Sequence, residues 1–142
     1  MKVSARNVFE GTITSLVDGQ VNAEVELTTA GGDRIVAVVT EGSVKSLGLA
    51  VGKAATAFVK APWVMLLAGD LPVRFSARNQ LAGVVSSVVR GAVNADVGIR
   101  LPSGSLVHAV VTNEAVMELG LKNGAPAVAL IKASHVVLGV PA

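Results

Sequence analysis

Residues 4–7 read SARN, and residues 76–79 read SARN again. The offset of 72 residues carries through the chain without an insertion: GQVNAEV at 19–25 lies over GAVNADV at 91–97, AVVT at 37–40 over AVVT at 109–112, LGL at 47–49 over LGL at 119–121, and VKAPW at 59–63 over IKASH at 131–135. Roughly 28 of about 69 paired positions are identical, and the period is too long for a solenoid, so this is a duplicated domain. Two units follow, residues 1–69 and 73–142, divided near Gly69-Asp70-Leu71-Pro72, a turn-like stretch suited to a short linker.

A unit of about 70 residues buries only about 60% of its unfolded surface and is marginal alone. Yet the chain is 51% hydrophobic, and the surplus apolar surface points to contacts between subunits. Cysteine is absent, which removes disulfides, thiolate metal sites and cysteine nucleophiles. The opening MKVSARNVFEG lacks the apolar run of a signal peptide, and no stretch reaches the roughly 20 apolar residues of a membrane span. A cytoplasmic protein with no membrane partner is the expectation. The formal charge of +2 is too small to favour a polyanion, so any bound anion should be small.

The local patterns are those of strands. VNAEVEL alternates, with Val21, Ala23, Val25 and Leu27 on one face, between Asp18-Gly19 and Ala30-Gly31-Gly32-Asp33. RIVAVVT at 34–40 is apolar almost throughout, which suits a strand covered on both faces. AATAFVKAPWVMLL, at 54–67, closes its unit as another extended segment. Gly11 and Gly83 sit inside the first strand of each unit, where glycine marks a bulge or a barrel bend. One short helix is expected per unit, capped by Thr40 or Thr112, with SVKSL or EAVMEL as its body and Gly48 or Gly120 as its stop. The fold class is all-β with one short helix per unit: two tandem OB-like five-stranded barrels.

A function performed by both units should use residues present in both. His108 pairs with Val36 and His135 with Trp63, so histidine chemistry and histidine metal sites fail this filter. The surviving polar set is Ser4/Ser76, Arg6/Arg78, Asn7/Asn79, Ser15/Ser87, Asn22/Asn94, Thr40/Thr112 and Lys60/Lys132, with the acid kept as Glu24/Asp96. Such a set is rich in donors and poor in groups that activate a nucleophile. Hydroxyls, Arg, Lys and the N–H groups of a polar turn suit a tetrahedral oxyanion, with no metal-ligating side chain needed.

Two readings stand for several of these residues. Lys60 and Lys132 lie in apolar runs, AFVKAPWV and ALIKASHV, where an ammonium is costly to bury without an anionic partner; equally, a lysine there could emerge at a sheet edge and block pairing. Arg6 and Arg78 could hold an anion, or pair with Glu24 and Asp96 on a neighbouring strand. Asn22 and Asn94 could touch an anion, or simply start a strand after a turn. Trp63 has no counterpart and suits core or interface better than a stacking platform.

In this order, SARN, G.VNAEV, AVVT, LGL..G and VKAPWV resemble the Mop (TOBE) domain of molybdate-binding proteins, regulators and transporter ATPases. Two units over nearly all of residues 2–140 look like a molbindin of the ModG type. The resemblance implies an OB-like fold, a homotrimer, and cytoplasmic binding of molybdate or tungstate between domains for storage, buffering or homeostasis. It implies no other cofactor. It also implies two kinds of site. The first combines Ser4, Ala5, Arg6 and Asn7 with Lys60 and Ala61, and Ser76, Ala77, Arg78 and Asn79 with Lys132, Ala133 and Ser134. The second uses the turn at Gly19, Val21 and Asn22 and its repeat at Gly91, Val93 and Asn94. The second unit departs from the pattern, with KASH at 132–135 in place of KAPW at 60–63, which leaves the equivalence of the two sites open.

Two other classes compete. OB barrels also bind single-stranded nucleic acid, but on a basic groove with aromatic platforms; the aromatics here are Phe9, Phe58, Phe75 and Trp63, and none has an aromatic (FWY) counterpart in the other unit. An enzyme could use Ser4 and Lys60 as nucleophile and base, but no third group orients them. Neither a nucleic-acid partner nor catalysis is therefore expected.

Overall fold

The computed structural model describes residues 2–69 and 71–142, so Met1 and, in the linker stretch, Asp70 lie outside the described residues. The first unit supplies β1 (Asn7–Asp18), β2 (Asn22–Thr29), β3 (Arg34–Thr40), α1 (Glu41–Leu47), β4 (Ala54–Val59) and β5 (Met65–Leu67). The second supplies β6 (Asn79–Arg90), β7 (Asn94–Arg100), β8 (Leu106–Thr112), α2 (Asn113–Glu118), β9 (Pro126–Ile131) and β10 (Val137–Gly139). The expected helices are present. Thr40 Oγ1 accepts from Ser43 N at 3.1 Å and Thr112 Oγ1 from Ala115 N at 3.0 Å, and Gly48 and Gly120 stop the helices at φ 63° and 64°, which costs glycine nothing sterically.

The strands form two five-stranded antiparallel sheets, ordered β10-β4-β1-β2-β3 and β5-β9-β6-β7-β8. In the first, β10 also packs on β3, and in the second β5 packs on β8, so each sheet curls back on itself as an OB-like barrel. The membership of these sheets differs from the sequence division. β5 leaves the unit that encodes it and pairs with β9, and β10 returns to pair with β4. The segment 54–67 is thus not one extended strand closing its own unit. It breaks at a 3-10 turn, Ala61–Trp63, where Pro62 fixes φ and offers no N–H to a ladder, and the chain crosses to the neighbour. A second 3-10 turn, Ala133–His135, reverses the exchange.

The alternation expected for β2 holds from Ala23 onward: Ala23, Val25 and Leu27 are buried, while Val21 precedes the strand and is 73% exposed. Val25 and Leu27 join Ile35, Ala37, Ala57 and Val59, and their repeats Val97, Ile99, Val107, Ala109, Ala129 and Ile131, in one buried cluster that includes Leu138 from the exchanged β10. β3 is covered on both faces only in part. Ile35, Val36 and Ala37 are buried, but Val38 and Val39 are half-buried. The bulge in the first strand lies beyond Gly11, where the register slips between Ile13 and Ser15, and likewise between Val85 and Ser87. The glycines serve a different end. A Cβ at Gly11 would fall on the Thr28 carbonyl and one at Gly83 on the Arg100 carbonyl, so only hydrogen permits so close a crossing.

Since β5 and β10 are repeat equivalents that fill the same slot in opposite barrels, a fragment of residues 1–69 lacks β10 but carries its analogue. We expect this fragment to fold as a dimer whose copies exchange β5, and one ending at residue 64 to remain unfolded. Sedimentation velocity and circular dichroism check this; a folded monomer of 1–69 would show that the exchange is dispensable.

Candidate functional site

Both copies of SARN run into the first residue of a long strand, and the last side chain of each is buried: Asn7 is 1% exposed and Asn79 2%. Neither asparagine serves its own unit alone. Asn7 Nδ2 donates to His108 O at 2.8 Å while Oδ1 accepts from His108 N at 2.7 Å. Asn79 Nδ2 donates to Val36 O at 2.8 Å and Oδ1 accepts from Val36 N at 2.7 Å, with a further bond from Nδ2 to Ile131 O at 3.2 Å. Val36 and His108 are repeat equivalents on β3 and β8, the strands that end the two sheets. Each amide thus acts as a one-residue stretch of backbone, pairing an edge that would otherwise be bare.

The arginines cross in the same way. Arg6 Nη1 donates to Asp96 Oδ2 at 2.6 Å, and Arg78 Nη1 to Glu24 Oε2. The pairing with the repeated acid is present, but each arginine takes the acid of the other unit. Both guanidinium groups are about half exposed, so each pair adds at most about 1 kcal/mol. On one side His108 Nδ1 also lies 3.1 Å from Asp96 Oδ1; on the other, Val36 offers nothing comparable. Among the described residues the N–H groups of Ala5, Arg6, Ala77 and Arg78 have no backbone acceptor, and Ser4 and Ser76 are exposed, so these donors remain free.

Lys60 and Lys132 follow β4 and β9, which lie inside their sheets and not at an edge. The edge-blocking reading therefore fails, and so does the cost of burial, because both lysines are exposed at the start of the 3-10 turns. Those turns are closed by Trp63 N to Lys60 O at 3.0 Å and His135 N to Lys132 O at 2.9 Å, with Ala61 and Ala133 buried beneath. The register pairs Asn7 with Val59 and Asn79 with Ile131, which puts each SARN beside the lysine of its own unit. Each turn packs on the opposite barrel, Ala61–Trp63 on β8 and Ala133–His135 on β3. Trp63 and His135, equivalent in the repeat, meet with ring centroids 5.4 Å apart, and Lys60 Nζ sits 5.5 Å from the Trp63 ring. Ser76, Ala77 and Lys132 line one cavity of about 400 Å³ with Trp63, Phe75 and His135.

The second expected grouping forms two exposed reverse turns. Gly19 N donates to Asn22 O at 2.9 Å, and Gly91 N to Asn94 O at 2.7 Å; Val93, like Val21, stands out into solvent, 71% exposed. Asn22 does not stay apart from the first grouping. It shares a cavity of about 300 Å³ with Thr40, Ser43 and Ser134. Ser43 escaped the sequence analysis because its counterpart is Ala115. His108 and His135 escaped for the same reason: a filter for residues common to both units discards those that differ across the contact between them. Asp96 and Glu24 carried a visible signal, but not their crossed partners.

The TOBE domain family matches twice, over residues 3–66 and 76–138. A crystal structure of the cytoplasmic molybdate-binding protein ModG with molybdate bound is 55% identical, with a TM-score of 0.96, and the match covers 99% of this chain and 100% of that one. The molybdenum-pterin-binding protein MopA of Rhodobacter capsulatus is 44% identical over 99% of this chain and 53% of its own length. The molybdenum transport protein ModE of Azotobacter vinelandii is 43% identical over 99% and 52%. The chain thus spans about half the length of the curated relatives it matches.

Removing the Asn79 side chain leaves the buried N–H and C=O of Val36 without partners. Asn79→Ala should lower the unfolding free energy by about 2–4 kcal/mol, and Asn79→Asp, which cannot donate, should not restore it. Urea denaturation checks both; a loss below about 0.5 kcal/mol would mean that water replaces the amide.

Proposed function

Because the chain belongs to the TOBE domain family, we propose that it binds molybdate or tungstate as the intact tetrahedral dianion, in the cytoplasm, to store or buffer molybdenum without catalysis. The likeness to molybdate-bound ModG across the whole chain carries this reading. The donor chemistry supports it. Exposed serine hydroxyls, unpaired backbone N–H groups and a lysine ammonium stand close together twice, and charge-assisted bonds of this kind hold an oxyanion by its oxygens.

The first class of site draws on Ser4, Ala5, Arg6 and Asn7 with Lys60 and Ala61, and on Ser76, Ala77, Arg78 and Asn79 with Lys132, Ala133 and Ser134. Here the arginines and asparagines shape the loop, since their side chains are engaged across the units, while the serines, N–H groups and lysines face the anion. The second class uses Gly19, Val21 and Asn22, and Gly91, Val93 and Asn94. Residues 1–69 and 73–142 are each one evolutionary unit of this kind. A homotrimer completes the sites, a reading supported by exposed apolar side chains that recur at equivalent positions: Val17 and Val89, Val21 and Val93, Met65 and Val137.

Calorimetry with molybdate should give a saturable signal, and silence with both molybdate and tungstate would overturn the proposal. Lys60→Ala and Lys132→Ala should each remove a subset of the anions counted by native mass spectrometry, each lost donor being worth about 1.5–3 kcal/mol. The trimer should persist in sedimentation. Anion at a hundred times its Kd should stabilise the wild type by about 2.7 kcal/mol, and the double lysine variant should lose much of that gain.

A further inference from the structure

The two exposed turns share one backbone and differ in the charges around it. The Val21 and Val93 carbonyls accept from the first helical N–H, that of Glu41 at 2.9 Å and that of Asn113 at 2.8 Å. Around this common frame the side chains diverge. The residue leading into the turn is Asp18 in the first unit and Arg90 in the second, each the last of its strand and in register with Ala23 and Ala95. The residue that fastens the turn is Glu41 in the first and Asn113 in the second. Asn113 Nδ2 reaches across to donate to Gly91 O at 2.9 Å, which shows where a side chain from this position goes. The Glu41 side chain has no N–H to give the Gly19 carbonyl, and its Oε1 is closed off from solvent without a hydrogen-bond partner among the described residues. The Asn113 oxygen is closed off as well, so the difference lies in the donor and the charge: two carboxylates flank the first turn, and one guanidinium and one amide the second.

We infer that the Gly91–Asn94 turn is the member of the pair that takes an oxyanion, and that Asp18 and Glu41 bar the same anion from the Gly19–Asn22 turn. This rests on the proposed function and narrows it: of the two turns named there as the second class of site, only the second is filled. A charge within about 4–6 Å of an ionised group changes its free energy by the equivalent of tenfold to a thousandfold in an equilibrium constant, and a dianion feels each carboxylate doubly. The first turn is therefore selective by repulsion, a device that needs no change of backbone. Asp18 and Arg90 are exposed, so their share of the effect is screened by salt, whereas that of Glu41 is screened less. Second-class anions then sit only at the ends of the second units, and the assembly is polar.

The test is a charge exchange followed by calorimetry and native mass spectrometry with molybdate at low ionic strength. Arg90→Asp with Asn113→Glu should remove the anions that survive in the double lysine variant and leave the lysine-dependent ones. Asp18→Arg with Glu41→Asn should add a set of anions bound at least tenfold more tightly than any at that turn in the wild type. Should either exchange unfold the protein, the milder Asp18→Asn with Glu41→Gln, and Arg90→Gln alone, carry the same signs. Wild-type anion counts in both exchanged variants, with lysine-dependent binding intact, overturn this inference and leave the proposed function standing. A wild type that binds no molybdate overturns both.

Discussion

A β-sheet edge has to be paired, covered or blocked, and here each barrel leaves that task to its neighbour. The first sheet ends on β10 from the second unit and on β3, whose Val36 is paired by Asn79; the second ends on β5 from the first unit and on β8, whose His108 is paired by Asn7. Units this small bury too little surface to stand firmly by themselves. Exchange lets two small cores merge into one, so that Leu138 of β10 lies in register with Ala57, encoded about 80 positions earlier. The turns at Ala61–Trp63 and Ala133–His135 are the points where the chain changes barrels, and they sit where the two units touch.

The candidate site inherits its geometry from this interlock. SARN is held at its end by a buried asparagine and at its middle by a crossed ion pair, which leaves the serine and the N–H groups of the loop facing outward beside a lysine at the start of an exchange turn. One tetrapeptide thus joins the units with two side chains and presents donors with the rest. A loop so constrained loses little entropy when an anion binds, which favours affinity without additional contacts.

Duplication sets a symmetry that particular residues then break. His108 joins the Arg6–Asp96 pair where Val36 leaves Arg78 and Glu24 alone. His135 meets Trp63 where two identical residues would have met. Asp33 accepts from Ser103 at 2.6 Å between hairpin tips whose equivalents are Ser105 and Gly31.

The strand class, the short capped helices, the pairing of like units and the roster of donors were all present in the linear pattern. Thr40, Gly48 and the alternation from Ala23 to Leu27 act within a few residues, and local rules describe them. Repetition of SARN and of the lysine marked residues that the fold sets side by side in both units, since both are built on the same frame. What the chain could not show in one dimension was to whom each element belongs. β5 and β10 are equally good strands in either barrel, Arg6 meets an equivalent acid in either unit, and Asn7 would find a backbone carbonyl in both. Local propensity is identical for these alternatives. Only the tertiary structure decided among them, because the choice turns on which edges are left bare once two marginal cores are packed against each other.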